Sequence, residues 1–336
     1  MQRQCHWARS LEPSDMVLLS IVIVTFNAAE LLCQCLTSIF DTAISTPFEV
    51  IVVDNHSSDQ TIDHLQHRFP GVRLVTNSTN RGFAAANNQG LQDSTGKYIL
   101  LLNPDTIVLP GTPDKMVKFL EEHPRVGLLN CQLLNPDMSI QLSCGNSFPS
   151  LSRLLLRAAI KLSGFDRLAA RYFSDREYPG QLLLPASEHR KTRAVGQVTG
   201  ACMMVRKDVI LEAGMLDEDF FMFLEETDWC FRIRRAGWLI YYTPEAQIIH
   251  MGSAIVKRDR EQYFDLTIYH NERGKLLFVR KHACRLSFVT YKLIVACMMG
   301  GGWAWTSIQV AIQKDNQEVS LKRKAYGRTL RMLNKV

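Results

Sequence analysis

Four apolar runs early in the chain each stop at residues that can hydrogen-bond or bind a cation. LSIVIV leads into Thr25-Phe26-Asn27, and VIVV into Asp54-Asn55. RLVT leads into Asn77 and then Asn80-Arg81-Gly82, and YILLL into Asn103-Pro104-Asp105. One polar end would be ordinary loop chemistry. Four on one edge of a sheet form a polar-rimmed crevice suited to a ligand. A diphosphate bound there needs its charge offset, and a metal at the end of the fourth run would do so. No G-x-G-x-x-G follows the first run and no G-x-x-x-x-G-K-[ST] occurs anywhere, which disfavours a Rossmann dehydrogenase or a P-loop NTPase.

The elements that must position these residues alternate regularly. VLLSIVIVT (17–25), FEVIVVD (48–54), VRLVTN (72–77) and YILLL (98–102) are β-branched or continuously apolar, as strands covered on both faces are. Between them, AELLCQCLTSIF, DQTIDHLQHRF after a Ser58-Asp59 cap signal, and GFAAANNQGLQDS carry helical spacing or small residues. Strands alternating with helices predict a parallel sheet covered by helices, whose ligands bind outside the carboxyl ends of the strands. The chain has no internal repeat of 20–50 residues.

Composition sets outer limits. The 336 residues are 46% hydrophobic and 21% charged, ordinary for a globular protein. Nine cysteines show no C-x-x-C spacing, and Cys33 and Cys35 point apart on a helix, so a reducing compartment fits better than a disulfide or zinc framework. The N-terminal MQRQCHWARSLEPSD has no apolar signal core, and Val17 to Phe26 is too short to span a bilayer. From Lys275 onward the chain carries twelve Lys or Arg against two acids, within an overall charge of +6. A basic tail on a mildly acidic body predicts an anionic surface as partner, with a solvated helical face as the plainer alternative.

The second half is less regular. Residues 135–193 hold turn residues, the basic helical stretch LSRLLLRAAIKL and an aromatic-rich loop, read as an insertion that shapes a second substrate's site. From Gln197 the pattern tightens again.

The strings SIVIVTFN, EVIVVDNHSSDQT, NRGFAAANNQGL, YILLLNPDT, TGACMMVRKD, LDEDFFMFLEETDWCFRIRRAGW and IIHMGS resemble, in order, glycosyltransferase family 2. The resemblance runs from about Val17 to Lys281 and is nearest in flavour to the bacterial rhamnosyltransferase-like branch that builds polysaccharide on a lipid carrier. It implies an α/β GT-A fold, a Rossmann-like, mostly parallel sheet covered by helices. Residues 1–16 would be an N-terminal extension and 17–281 the glycosyltransferase domain. Within it, 17–134 would bind the nucleotide-sugar and 135–281 would form the acceptor and catalytic half. Residues 282–336 would be a basic, apolar helical tail that associates with membrane.

The resemblance also assigns roles. Asn103-Pro104-Asp105 is similar to the family's D-x-D motif in an N-x-D form. That makes Asp105 the one carboxylate ligand of Mn²⁺ or Mg²⁺, leaves Asn103 to hydrogen-bond nucleotide or sugar, and has Pro104 fix the turn. His250 matches a position where histidine adds a metal ligand. Thr25 and Asn27 match residues near base and ribose, and Asp54 an acid that pairs with a pyrimidine's imide edge or the ribose; a turn cap is a compatible role. Gly200 and Ala201 fall in the donor-binding TGACMM. Arg81 is open between neutralising phosphate and being a solvated loop cation. One of Asn87 and Asn88 is expected to face the ligand.

Transfer needs a base for the acceptor hydroxyl. The family draws it from an acidic pair at a helix start, here LEETDWC, where Glu226 aligns with the usual Asp, Glu225 precedes it and Asp228 follows. The change from Asp to Glu leaves Glu226 and Asp228 both open as the base, and acids also favour a helix N-terminus through its dipole. A site of this family holds the leaving group on one face and the base on the opposite face, which implies single displacement with inversion, and no Ser-His-Asp or Cys-His signature suggests a covalent route.

The expected function is transfer of a sugar, rhamnose among the options, from a dTDP- or UDP-sugar to a saccharide or lipid-linked saccharide acceptor. It would take place in the cytoplasm, peripheral on the inner face of the membrane, with no nucleic acid as partner. Leu293 to Ile312 carries no formal charge, and Trp303 and Trp305 suit an interface, so the tail is expected to lie in the membrane plane or shallowly in it, with a true span and a packed soluble helical hairpin as the alternatives. The rival is a non-catalytic relative that binds nucleotide-sugar or a partner glycosyltransferase. A sugar nucleotidyltransferase would want a Gly-rich, cationic loop that TFNAAELL lacks.

Overall fold

The computed structural model describes residues 17–162, 183–252, 265–312 and 316–335. The expected extension at 1–16 and part of the aromatic-rich loop lie outside them.

The four apolar runs become β1 (Leu19–Thr25), β2 (Phe48–Asp54), β3 (Arg73–Thr76) and β4 (Tyr98–Leu102). They pair in parallel in the order β3-β2-β1-β4. Every residue of β1 and β4 is buried, which is why neither sequence alternates. The crossovers are α1 (Ala29–Asp41), α2 (Thr61–Arg68) and α3 (Phe83–Asp93). The small residues of α3 bring it hard against β1: a Cβ on Gly90 would lie 2.2 Å from Val22 Cγ1, so only glycine fits.

Register levels the polar ends. Thr25 lies opposite Asp54, Asp54 opposite Thr76, and Ile23 opposite Leu102, so Asn103 emerges on the same edge.

Residues 106–134, unassigned from sequence, form β5 (Thr106–Val108), α4 (Thr112–Glu122) and β6 (Val126–Leu134). Short strands β7 (Ile140–Gln141), β8 (Cys144–Gly145), β9 (Arg193–Ala194) and β10 (Gln197–Val198) follow, then β11 (Cys202–Arg206) and β12 (Leu239–His250). β11 enters antiparallel between β4 and β6, so the two halves share one sheet, ordered β3-β2-β1-β4-β11-β6-β12-β5. Two apolar clusters pack its faces, one around Ile21, Leu36 and Leu100, the other around Val22, Leu101 and Trp229.

The remaining helices are α5 (Leu151–Leu162), α6 (Lys207–Ala213), α7 (Glu225–Arg235), α8 (Asn271–His282), α9 (Arg285–Ile312) and α10 (Gln317–Leu333). Before α7, Phe223 and Leu224 both take left-handed backbone, at φ +67° and +73°. Such strain in non-glycine residues persists only where the surroundings hold it, and it concentrates at functional sites. Here α8 holds it: a Cβ on Gly274 would lie 2.7 Å from the Phe223 carbonyl, so glycine lets the helix lie against the turn.

Helices α9 and α10 fold back on each other, and their small core of Tyr291, Val295, Met299, Met332 and Leu333 includes Leu276 and Val279 of α8. The other face of α9 is an apolar stripe at helical spacing, with Leu286, Leu293, Trp305 and Ile312 between 62% and 76% exposed. By length and composition this helix could cross a membrane.

Candidate active site

The strand ends carry buried polar atoms. Thr25 Oγ1, Asp54 Oδ1 and Asn103 Oδ1 have no hydrogen-bond partner among the described residues. Buried polar groups are normally paired, so three orphans on one edge point to a ligand that supplies the partners. The second Asp54 oxygen accepts from the Ser57 amide at 3.1 Å, so the turn-cap role holds as well.

Other expected donor residues serve the scaffold. Asn27, at φ +50°, accepts from the Ser58 amide at 2.8 Å and braces the loop after β2. Asn88 clamps residues 216–218: its amide donates to the Leu216 carbonyl and the Glu218 carboxylate, and it accepts from the Leu216 amide. Asn87 donates to the Phe83 carbonyl one turn back, at 2.9 Å. Arg81 pairs with Glu218 at 3.6 Å and is exposed, so it is a loop cation with a partner. Glu218, which joins Arg81 and Asn88, gave no signal in the sequence.

Asp105 and His250 do meet. Residue 250 ends β12 and pairs with Thr106 on β5, which sets its ring beside Asp105, with Nε2 3.3 Å from Oδ1. The other ring nitrogen, Nδ1, lies 2.6 Å from Gln141 Oε1. The Gln141 amide nitrogen donates to Asn135 Oδ1 at 3.0 Å, and this fixes which end of the amide faces the ring. Nδ1 therefore carries the hydrogen, and the Nε2 lone pair faces a carboxylate. Two acceptors at that distance need a cation or a proton between them, so the pair fits a divalent metal. Among the described residues no group of three or more His, Cys, Asp or Glu could hold a metal ion, so further ligands would be phosphate or water oxygens.

The segment 199–201 connects this edge to the acidic turn. The Ala201 carbonyl accepts from the Asn103 amide at 3.0 Å. A Cβ on Gly200 would sit 4.0 Å from Glu226 Cβ and 3.5 Å from the Phe83 ring. Gly200 therefore lies next to Glu226, one residue before the Ala201 carbonyl that holds the end of β4.

The acids of the turn have different fates. Asp228 is fully buried and accepts from Arg232 Nε and His282 Nε2, each at 2.7 Å. Those bonds tie α7 to itself and to α8, so Asp228 is a structural anchor, which removes it as an expected catalytic acid. Thr227 Oγ1 donates to Gln197 Oε1 at 2.7 Å and Trp229 Nε1 to the Gly214 carbonyl at 2.7 Å, which immobilises the turn.

Glu226 alone of these acids faces open space. It lines a cavity of about 560 Å³ with Gln197, Thr199, Asn271, Glu272 and Lys275 among its walls. Its Oε2 is buried without a partner among the described residues, as are Thr199 Oγ1 and Asn271 Oδ1. Burial pushes its carboxyl above the ordinary 4.5, against hydrogen bonds from the first-turn backbone and from Glu225. Glu225 is pushed up further, first by burial and then by the charge of Glu226. Both carboxyls are thus held above the ordinary glutamate range, chiefly by burial.

Residues 20–134 match the model of glycosyl transferase family 2. Over that segment the chain is similar to family 2 glycosyltransferases. A relative of the glycosyltransferase is the N-acetylglucosaminyl-diphospho-decaprenol L-rhamnosyltransferase of Mycobacterium tuberculosis, 29% identical over 255 residues, 72% of this chain and 78% of that protein. Another is the low-salt glycan biosynthesis hexosyltransferase Agl10 of Haloferax volcanii, 24% identical over 293 residues, 85% of this chain and 82% of that protein. Among solved structures, GalNAc-T7 with UDP, GalNAc and Mn²⁺ superposes with a TM-score of 0.53 at 13% identity, covering 80% of this chain. The chain spans about half of that structure (51%), and the likeness shows the GT-A fold.

Proposed function

We propose that this glycosyltransferase moves a sugar of the rhamnose type from a dTDP- or UDP-linked donor to a lipid-linked saccharide, with inversion. The observation that carries this is Glu226, which lines a cavity that the donor edge does not occupy and whose buried Oε2 has no partner among the described residues. The donor lies along Thr25, Asp54 and Asn103, whose free acceptors suit nucleoside and sugar hydroxyls. Asp105 and His250 would hold a Mn²⁺ or Mg²⁺ ion, and Gln141 would orient the histidine. That ion, when bound, stabilises charge on the departing diphosphate.

The acceptor hydroxyl oxygen forms a bond to the anomeric carbon from the cavity side. The carbon–oxygen bond to the diphosphate breaks on the opposite side, and its electron pair leaves with the nucleoside diphosphate. The acceptor's proton passes to Glu226. Burial pushes the Glu225 carboxyl up, which disfavours a second negative charge beside the base. Support for the lipid-linked acceptor is the relative that acts on a diphospho-decaprenol sugar, together with the exposed apolar stripe of α9. The stripe would lie in the inner face of the membrane, with the cations of the tail against anionic headgroups.

A panel of dTDP- and UDP-sugars tests this by thermal stabilisation with and without Mn²⁺, followed by NMR of the product's anomeric configuration. Metal-dependent stabilisation by a dTDP- or UDP-deoxyhexose and an inverted product are expected. No stabilisation by any donor, or a retained configuration, contradicts the proposal.

A further inference from the structure

A second cavity shares the wall of Pro149 and Ser150 with the one at Glu226, and the transferase reading gives it nothing to do. It holds about 550 Å³ between α5, α7, α8 and the start of α9, within the usual range for small-molecule sites. Its body is apolar: Phe148, Phe231 and Phe278 form one aromatic cluster, with Leu151 and Leu155 of α5 beside it. No Asp or Glu occurs among its described lining residues, and His282 is the one titratable side chain there. The His282 ring is fixed. Its Nε2 donates to Asp228 Oδ1 at 2.7 Å, Arg232 holds the other carboxylate oxygen, and Phe231 and Phe278 pack on the ring at 4.3 and 4.7 Å. Nε2 is thus occupied, and Nδ1 makes no hydrogen bond among the described residues, so Nδ1 is what the ring presents to a ligand. Positive charge surrounds the site. Arg234 lies over the Phe148 ring at 5.9 Å and Arg235 over the Phe231 ring at 6.0 Å. The first turns of α5 and α9 border the cavity through Ser152 and Ser287, and helix N-termini carry partial positive charge.

From this juxtaposition we infer that the second cavity binds a small apolar carboxylic acid, a ligand separate from both donor and acceptor. Its hydrocarbon body lies against the aromatic cluster, and its carboxyl group meets His282 Nδ1. The acid's proton passes from its oxygen to Nδ1, which leaves an imidazolium between two carboxylates, the ligand's and that of Asp228. No other bond forms or breaks. Charge-assisted hydrogen bonds of this kind are the strong ones, and a carboxylate in an apolar cavity is costly without one. An alcohol of the same shape brings no charge to the imidazole. An ammonium meets the arginines and the helix N-termini with like charge. The site also has a physical link to the acidic turn, because its ligand touches the histidine that anchors Asp228.

The test uses the full-length protein with isotope-labelled histidine nitrogens, at a pH where the free protein shows Nδ1 of His282 unprotonated. Phenylacetate and phenylethanol, which share a ring and a chain length, are titrated in and followed by NMR. The His282 signals are those missing from His282→Gln. Phenylacetate is expected to move Nδ1 from its lone-pair to its protonated resonance, and phenylethanol is not. Phenylacetate should also bind about tenfold or more tightly than phenylethanol, the scale of one charge-assisted hydrogen bond. His282→Gln should erase that preference. Ser287→Phe, which fills the cavity and keeps both His282 and Asp228, should weaken both probes by about tenfold or more. No binding of phenylacetate to the parent, equal affinity for the two probes, an unmoved Nδ1 signal with phenylacetate bound, or parent-like binding to Ser287→Phe would each overturn the inference. The transferase reading stands or falls separately, on the donor panel.

Discussion

The two sides of the site are built by different means. The donor edge is a row of parallel strand ends, levelled by backbone register and backed by fully buried strands. The cavity side, proposed for the acceptor, is assembled from α5, α7, α8 and α9, and much of it rests on a small separate core. A sheet edge cannot shift one residue without unpairing its neighbours. A helical wall can shift with its packing. Damage to the hairpin should therefore appear in acceptor affinity and membrane binding, and damage to the strand ends in donor and metal binding.

The largest expected effect is at the metal pair. Asp105→Ala should abolish transfer, whereas Gln141→Leu should leave the maximal rate but weaken Mn²⁺ affinity by roughly 10–100-fold, the usual cost of losing a partner that orients a ligand. Metal titrations of initial rate separate the two; activity of Asp105→Ala in excess chelator would remove the metal role.

The acceptor side should yield to changes that leave the donor edge alone. Truncating after Arg280 is a poor probe, because it removes His282 and with it a bond that anchors Asp228. The paired change Leu293→Glu and Trp305→Glu on the exposed stripe keeps the hairpin core. Binding to anionic vesicles should fall by about tenfold or more, since each apolar side chain contributes about 1.5–3 kcal/mol when buried. Nucleoside diphosphate affinity should not change. A parent protein that ignores anionic vesicles would place the stripe outside membrane binding.

The smallest effect is in pH. Burial raises the Glu225 carboxyl above its ordinary 4.5, so its contribution to stability is fully present below about that pH. It is lost as pH rises through the higher folded value. Glu225→Gln, which cannot ionise, should match the parent in melting temperature at acid pH and exceed it by a few degrees near neutrality. The raised Glu226 carboxyl likewise places the acid limb of turnover above pH 4.5. A parent whose stability rises from pH 5 to 8 relative to Glu225→Gln would contradict the assignment.

Much of the donor edge was legible because buried parallel strands cannot hide their ends: an apolar run that stops at Asp54 or Asn103 marks the boundary in the sequence itself. The fates of Glu226 and Asp228 were also there to be found. At about 100° per residue the two lie some 200° apart on a helix, while Asp228 and Arg232 share a face. Spacing alone therefore places Asp228 with its cation and away from Glu226. Gln141, Glu218 and His282 were not legible. Each acts through a partner distant in sequence, on a two-residue strand, a loop or a helix end, where no periodicity marks a side chain's direction.

The central claim is that one acid of the turn does the chemistry and its neighbour holds the frame. Pre-steady-state turnover of Glu226→Gln and Asp228→Asn, with donor affinity and melting temperature measured on the same preparations, tests it most directly. Glu226→Gln should keep fold and donor affinity and lose roughly 10²–10⁴-fold in turnover, the scale of general-base catalysis. Asp228→Asn should lose stability, by about 3–5 kcal/mol for a broken buried pair, while its folded fraction turns over near the parent rate. A stable, donor-binding Asp228→Asn that is inactive beside an active Glu226→Gln would contradict the account.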